Sequence, residues 1–220
     1  MSQYDFDNDW DDGGDIAWNE ADWQRYLRNS DKEVSRFIAA YNSVRESDNR
    51  LDETAHLMGW DREDWHATDD DELLDSETGA ISDEDICDES FADNDPYTIH
   101  KHPIYVSTTA LYAYLRATWE HLMRHNRLQP EASLAWSFCA SLSDGERHSL
   151  LGAQSLDLGD YHLAVCHFKK AHSALNESLR LNRMFEHHNS RKMVDYITES
   201  QIRMHDIREI WLRVIHDCRT

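Results

Sequence analysis

The chain has 220 residues, with 43 Asp and Glu residues against 22 Lys and Arg residues, which gives a formal net charge of −21. Residues 1–95 hold 30 of the acidic residues and residues 96–220 hold 13, so the acidity is concentrated in the first half. This charge argues against nucleic-acid binding through residues 1–95, because phosphates would be repelled, and it favours a protein or peptide partner, a basic one where it meets that half.

No segment points to a membrane or to secretion. The chain has no run of 18 apolar residues, which a transmembrane helix needs, and its N-terminus lacks the basic and apolar regions of a secretory signal. The cysteines are far apart and form no CxxC pair, which favours buried free thiols in a reducing compartment; they are Cys87, Cys139, Cys166 and Cys218. We therefore expect a cytoplasmic protein without a membrane anchor.

Residues 1–18 are mostly Asp, Asn and Gly and predict a flexible acidic tail. Four aromatic residues stand among them: Tyr4, Phe6, Trp10 and Trp18. Two interpretations stay open, a solvating leader and a short linear motif whose aromatic side chains dock on a groove.

Residues 19–65 predict a small helical hairpin. Asn19 has the spacing of a capping box and starts the first helix, and Ser30 opens a second capping box, where the chain either kinks or begins a new helix. Apolar residues then recur at helical spacing: Val34, Phe37, Ile38, Tyr41 and Val44. A short helix over 50–58 follows, with Gly59 as its C-terminal cap. Because so few residues make a marginal core, the hairpin should pack on the C-terminal domain, on a second copy or on a partner.

Residues 66–95 predict a disordered linker. They contain 13 acidic residues and no Lys or Arg. Such a segment cannot bury enough apolar area to offset the entropy lost on ordering. The alternative is an acidic-hydrophobic docking segment.

Residues 96–220 predict a helical bundle, so the fold class is all-α. The 7 glycines and 3 prolines of the chain fit helices better than β-structure. A capping box at Ser143 indicates that a new helix starts there. The periodicity predicts helices over 107–127, 130–142, 144–157, 160–188 and 189–218. We expect this bundle to stay folded when residues 1–95 are deleted.

The last helix carries an unbroken heptad-like pattern. Its apolar positions alternate four and three apart: Met193, Ile197, Ser200, Met204, Ile207, Trp211, Val214 and Cys218. This pattern predicts a seam inside the bundle, and the alternative is a homodimer interface through helix 190–218.

Seven residues have the spacing of a tetratricopeptide repeat. A Leu-Gly pair is followed after seven residues by Gly, and then by Tyr, Ala, Phe and Ala: Leu151, Gly152, Gly159, Tyr161, Ala164, Phe168 and Ala171. Residues 145–178 therefore resemble a single tetratricopeptide helical hairpin. The resemblance implies binding of a peptide or protein rather than catalysis.

The resemblance also implies a structural role for each of these positions. Gly152 and Ala164 are small where the two helices cross, and Gly159 lets the chain turn. Tyr161 and Phe168 would fill the wedge between the helices. The remaining alanine of the pattern would leave room for the next helix.

The chain departs from the family pattern at His148, Ser155 and Asn176, and it shows no second copy at the repeat period of about 34 residues. Neighbouring helices must therefore cover the hairpin, which favours a compact bundle over a solenoid. The whole chain also resembles uncharacterised bacterial proteins with the same order of an acidic hairpin and a bundle, from which no function follows.

Two kinds of residue pair are compatible with an enzyme or a metal protein. The pairs His121/His125 and His162/Cys166 are each four residues apart, so each could supply two metal ligands on one helix face. Three pairs also match the Arg-x4–6-His ribonuclease signature of HEPN helical domains, about as many as chance predicts: Arg116/His121, Arg180/His187 and Arg183/His188.

Our leading hypothesis is a non-enzymatic adaptor for protein–protein interaction. No nucleotide-binding, hydrolase or metalloprotease motif is present, so we assign no catalytic, cofactor or metal residue. The docking groove would lie beside Tyr161, His162 and the face of helix 144–157. The acidic N-terminal arm would steer a basic partner or fold back as a self-ligand. The alternative is a HEPN-like ribonuclease or a histidine-based metal site in the bundle.

Overall fold

The computed structural model describes residues 18–60, 99–125, 130–187 and 190–219, and in these ranges the chain forms helices and no strand. Two 3₁₀ turns, Ile99–Lys101 and Phe185–His187, accompany six α-helices: α1 (Glu20–Ser43), α2 (Arg50–Met58), α3 (Pro103–His125), α4 (Ala132–Asp157), α5 (Tyr161–Met184) and α6 (Arg191–Asp217). The predicted all-α helical bundle is confirmed. The predicted linker over 66–95 and all of the predicted tail except Trp18 lie outside the described residues.

Local signals determine the ends of the two N-terminal helices. The Asn19 side chain accepts hydrogen bonds from the Ala21 and Asp22 amides, and the Asp22 carboxylate accepts one from the Asn19 amide, which completes a capping box. α2 ends at Gly59, whose φ of 79° places it in the left-handed region that favours glycine. α1 runs without a break through Ser30, so no new helix begins there.

The prediction of two helices over 130–142 and 144–157 is wrong. One helix, α4, runs through both segments. Glu146 would have to fold back on the Ser143 amide to form the capping box, but its carboxylate instead pairs with Arg116 on α3. Gly145 is buried inside α4, where the Tyr112 ring packs against it. Tertiary contacts with α3 thus override the local capping signal.

α4 and α5 form a helical hairpin that contains the seven residues with tetratricopeptide spacing. Gly159 has a φ of 76° and closes the turn, and the Asp160 carboxylate accepts a hydrogen bond from the Leu163 amide at 3.0 Å to begin α5. A Cβ at Gly152 would lie 3.0 Å from the Phe168 ring, so glycine permits close packing of the two helices. Phe168 is fully buried at this crossing.

The N-terminal hairpin shares one hydrophobic core with the C-terminal bundle. Phe37, Tyr41 and Met58 are buried in the same cluster as Tyr112 and Trp211. Of the three partners expected for the hairpin, the structure therefore supplies the C-terminal domain of the same chain. The large charge difference between the two halves does not correspond to a division of the core.

The predicted seam of α6 packs inside the chain. Seven of its eight positions are buried, and the eighth, Cys218, is partly buried at the end of the helix. The side chains of a homodimer interface on this helix would therefore have to come from its other faces. Among the described residues, no helix is long and apolar enough to cross a membrane.

Candidate functional site

A shallow groove of about 440 Å³ runs along one face of α4. Six of its lining residues are spaced three or four apart along α4, and the 3₁₀ turn before α3 supplies the seventh: Ser143, Glu146, Arg147, Leu150, Leu151, Gln154 and Ile99. We call this surface the α4 groove. It lies along the segment of α4 that the sequence analysis named, but its lining residues include neither Tyr161 nor His162.

One of the residues that line the α4 groove, Glu146, forms an ion pair. Glu146 is buried, and its carboxylate pairs with the Arg116 guanidinium. Burial raises the pKa of Glu146, and Arg116 opposes this shift because it stabilises the carboxylate. The groove therefore has both apolar and charged lining residues, since Leu150 and Leu151 line it together with Glu146 and Arg147.

Exposed apolar side chains continue from the groove to the turn between α4 and α5. Leu151 is 37% exposed, Leu158 is 76% exposed and Tyr161 is 54% exposed. Single exposed leucines are ordinary on protein surfaces, whereas a contiguous apolar patch marks a binding surface. Here, Leu151 and Leu158 are two helical turns apart with the polar Gln154 between them, so the surface is mixed rather than a continuous apolar patch.

Three of the seven tetratricopeptide positions are exposed: Leu151, Gly159 in the turn, and Tyr161. Ala164, Phe168 and Ala171 are fully buried, as the resemblance implies. Tyr161 does not fill the wedge between the helices, so that expectation is wrong. Tyr161 is the first residue of α5, and the atoms nearest to a Cβ at Gly152 belong to Phe168, seven residues further along the helix. Leu151 lines the groove instead of the helix crossing.

Sequence reasoning missed a contact between His148 and His167 on the α4–α5 hairpin. Their Nδ1 atoms are 3.3 Å apart, so one ring donates a hydrogen bond to the other. Partial burial lowers the pKa of His148, and the positive charges of Arg147, His167 and Lys170 lower it further. The residues are 19 positions apart, and only the hairpin geometry, which places α4 against α5, could have indicated that they meet.

The histidine pairs considered as metal ligands lie on the surface. The His121 and His125 rings stack with their centroids 4.2 Å apart, and His125 Nδ1 donates a hydrogen bond to the His121 carbonyl oxygen. His162 and Cys166 are both exposed, so the prediction of a buried thiol is wrong for Cys166. Among the described residues, no group of three or more His, Cys, Asp or Glu side chains could hold a metal ion.

Two arginines of the ribonuclease-like pairs form ion pairs with glutamates. Arg116 pairs with Glu146, and Arg180 donates two hydrogen bonds to Glu177, at 2.8 and 2.7 Å. The side chain of His187 and all of His188 lie outside the described residues, so two of the three pairs stay predictions.

An aromatic cluster lies next to the α4 groove. The Trp18 ring packs edge-on against Trp23 at 4.9 Å and against Tyr26 at 5.5 Å, and Tyr26 packs against His100 at 5.6 Å. We call these four residues the aromatic corner. Because His100 follows Ile99, the corner adjoins the end of the groove.

Comparison of the chain with protein-family models, with curated proteins and with solved structures finds no match.

Proposed function

We propose that the protein is a non-enzymatic interaction module of the cytoplasm that binds a peptide or protein segment in the α4 groove. One observation carries the proposal: Leu151 in the groove, and Leu158 and Tyr161 in the turn after α4, all have exposed side chains. Fully burying an exposed leucine contributes about 1.5–3 kcal/mol, so a partner gains most of this from Leu158, which is 76% exposed, and a smaller part from Leu151, which is 37% exposed.

The chemistry of the groove favours an amphipathic segment as its ligand. Leu150 and Leu151 offer contacts to apolar side chains, and Ser143, Arg147 and Gln154 offer hydrogen bonds at the edges. Binding sites for peptides commonly combine an apolar groove with a few polar groups that set direction and register. The likeness to a tetratricopeptide hairpin supports the same kind of ligand.

The test is selection of binding peptides from a random library displayed on phage. Wild-type protein should enrich peptides with a common pattern, and their affinity should fall at least about tenfold for Leu151→Asp, because an apolar contact becomes a buried charge. Leu212→Asp is the matched control, since Leu212 is 42% exposed on α6, whose residues do not line the groove.

Enriched peptides that bind wild type and Leu212→Asp equally, and Leu151→Asp weakly, would support the groove as the binding site. Thermal unfolding of both variants checks that each is folded. Peptides that bind all three proteins with the same affinity would contradict the proposal, and so would the absence of any enriched peptide.

A further inference from the structure

We propose that residues 1–17 of this chain dock in the α4 groove as an intramolecular ligand, so that an external partner must displace them. This inference rests on the proposed function, because it takes the groove to be a peptide-binding surface. It adds a regulatory segment to that surface and names the segment.

Residues 1–17 join the described part of the chain at the aromatic corner. They end at Trp18, whose ring packs against Trp23 and Tyr26 in the aromatic corner. Tyr26 contacts His100, and the preceding residue, Ile99, lines the groove. A continuous set of contacts therefore leads from the attachment point of the segment to one end of the groove.

Residues 1–17 are long enough to span the α4 groove. Seventeen residues span up to about 60 Å when extended, at about 3.3–3.6 Å per residue. The groove face of α4 from Ser143 to Leu158 is about 22 Å long, at about 1.5 Å of rise per residue. The segment is thus long enough to reach any part of this face from Trp18.

Residues 1–17 and the α4 groove have complementary residue types. Residues 1–17 carry six Asp and no Lys or Arg. The groove presents the guanidinium of Arg147 beside Leu150 and Leu151, and its one carboxylate, Glu146, is paired with Arg116. Arg147 pairs with Asp144 at 2.9 Å on the exposed surface, where such a pair is weak enough to be exchanged for another carboxylate. Aromatic side chains, which bury large apolar areas, stand between the acids: Tyr4, Phe6 and Trp10.

Because residues 1–17 belong to the same chain as the α4 groove, a weak contact is enough for them to occupy it. A ligand that a short linker joins to its binding site has an effective concentration of about 1 mM. A segment with a dissociation constant of about 0.1 mM as a free peptide would therefore occupy the groove about nine tenths of the time. Loss of the segment from the groove should raise the apparent affinity for an external peptide about tenfold.

The experiment compares amide NMR spectra of the full chain with those of a full-length triple variant, Tyr4→Ser, Phe6→Ser and Trp10→Ser. We expect the signals of Arg147, Leu150 and Leu151 to shift, and the signal of Leu212 on α6 to stay. A synthetic peptide of residues 1–17, added to the triple variant, should restore the wild-type signals.

The same peptide should restore nothing in a triple variant that also carries Leu151→Asp. The inference is overturned when the groove signals are identical in wild type and triple variant, or when the added peptide restores none of them. A peptide that acts equally with and without Leu151→Asp also overturns it, because the contact then lies elsewhere.

The two proposals fail in different ways. Library peptides that need Leu151, together with an unchanged groove spectrum in the triple variant, would leave the proposed function standing and overturn the intramolecular ligand. Groove signals that respond to residues 1–17, with no library peptide enriched, would establish the intramolecular contact and contradict the external binding function.

Discussion

Gly145 lies inside α4 at a point where the Tyr112 side chain from α3 packs against the helix backbone. A Cβ at this position would collide with the Tyr112 hydroxyl oxygen, which is buried and has no hydrogen-bond partner among the described residues. We expect Gly145→Ala to lower the free energy of unfolding by about 1–2 kcal/mol in urea unfolding, although alanine favours a helix over glycine by about 1 kcal/mol.

Tyr112→Phe is the matching change, since it removes the oxygen that would collide. We expect this variant to be as stable as wild type or slightly more stable, because the lost hydroxyl makes no hydrogen bond. The double variant should recover most of the stability lost in Gly145→Ala. Equal losses in the single and double variants would show that the hydroxyl is not the obstacle.

Single residues differ in how far the sequence could predict them. Gly59 and Gly159 were predictable because each ends a helix with positive φ, a local requirement. Tyr161 was not, because its exposure depends on where α5 starts relative to the helix crossing. The groove leucines follow a helical spacing, but the spacing alone does not tell an exposed face from a buried one.

At the scale of elements, α4 and α5 show two capping signals with different outcomes. Asp160 accepts a hydrogen bond from the Leu163 amide and caps α5, whereas Ser143 lies in the middle of α4. We expect Asp160→Ala to lower the free energy of unfolding by about 1 kcal/mol. Ser143→Ala should change it by less than about 0.5 kcal/mol, because alanine is the better helix former. Chemical unfolding of both variants provides the measurement.

A cost of about 1 kcal/mol for Ser143→Ala would indicate a helix start at Ser143 and would contradict a continuous α4. The local sequence cannot decide between these outcomes, since Ser143 to Glu146 has the spacing of a genuine capping box. In the structure, the Glu146 carboxylate forms an ion pair with Arg116 on α3 and does not cap a helix at Ser143. By contrast, α6 was predictable because its heptad pattern and its burial in the core agree over the whole helix.

At the scale of the whole molecule, a buried polar cluster joins the N-terminal hairpin to α6. Arg50 donates hydrogen bonds to both Asp206 oxygens, at 2.7 and 2.6 Å, and the Tyr41 hydroxyl donates to the same carboxylate. Burial and the Asp206 carboxylate raise the pKa of Tyr41, which therefore stays protonated. Arg203, 2% exposed, stacks on the Tyr114 ring at 3.7 Å beside this cluster.

No sequence pattern indicates this cluster, because Arg50 and Asp206 are 156 positions apart and each resembles an ordinary charged residue of a helix surface. The charge difference between the halves suggested a separate hairpin and a bundle that folds without residues 1–95. The shared core opposes that expectation, since deletion of the hairpin would expose the apolar surface that Phe37, Tyr41 and Met58 cover. The charged residues lie mainly on the surface, so their distribution does not show which segments share a core. The positions of the apolar residues determine the core.

The strength of this junction can be measured with two Asp→Asn changes of different burial. The Asp206 side chain is 7% exposed, and its loss leaves the partly buried Arg50 without its counter-charge, so Asp206→Asn should lower the free energy of unfolding by about 2–4 kcal/mol. Asp52 pairs with Arg213 across the same junction, but both side chains are about half exposed, so Asp52→Asn should cost less than about 1 kcal/mol.

Circular dichroism and tryptophan fluorescence should then show one coincident transition for each variant, since one core unfolds as a unit. Two separate transitions in Asp206→Asn, with the hairpin unfolding first and the remaining helices at the wild-type midpoint, would instead make the hairpin an independent domain.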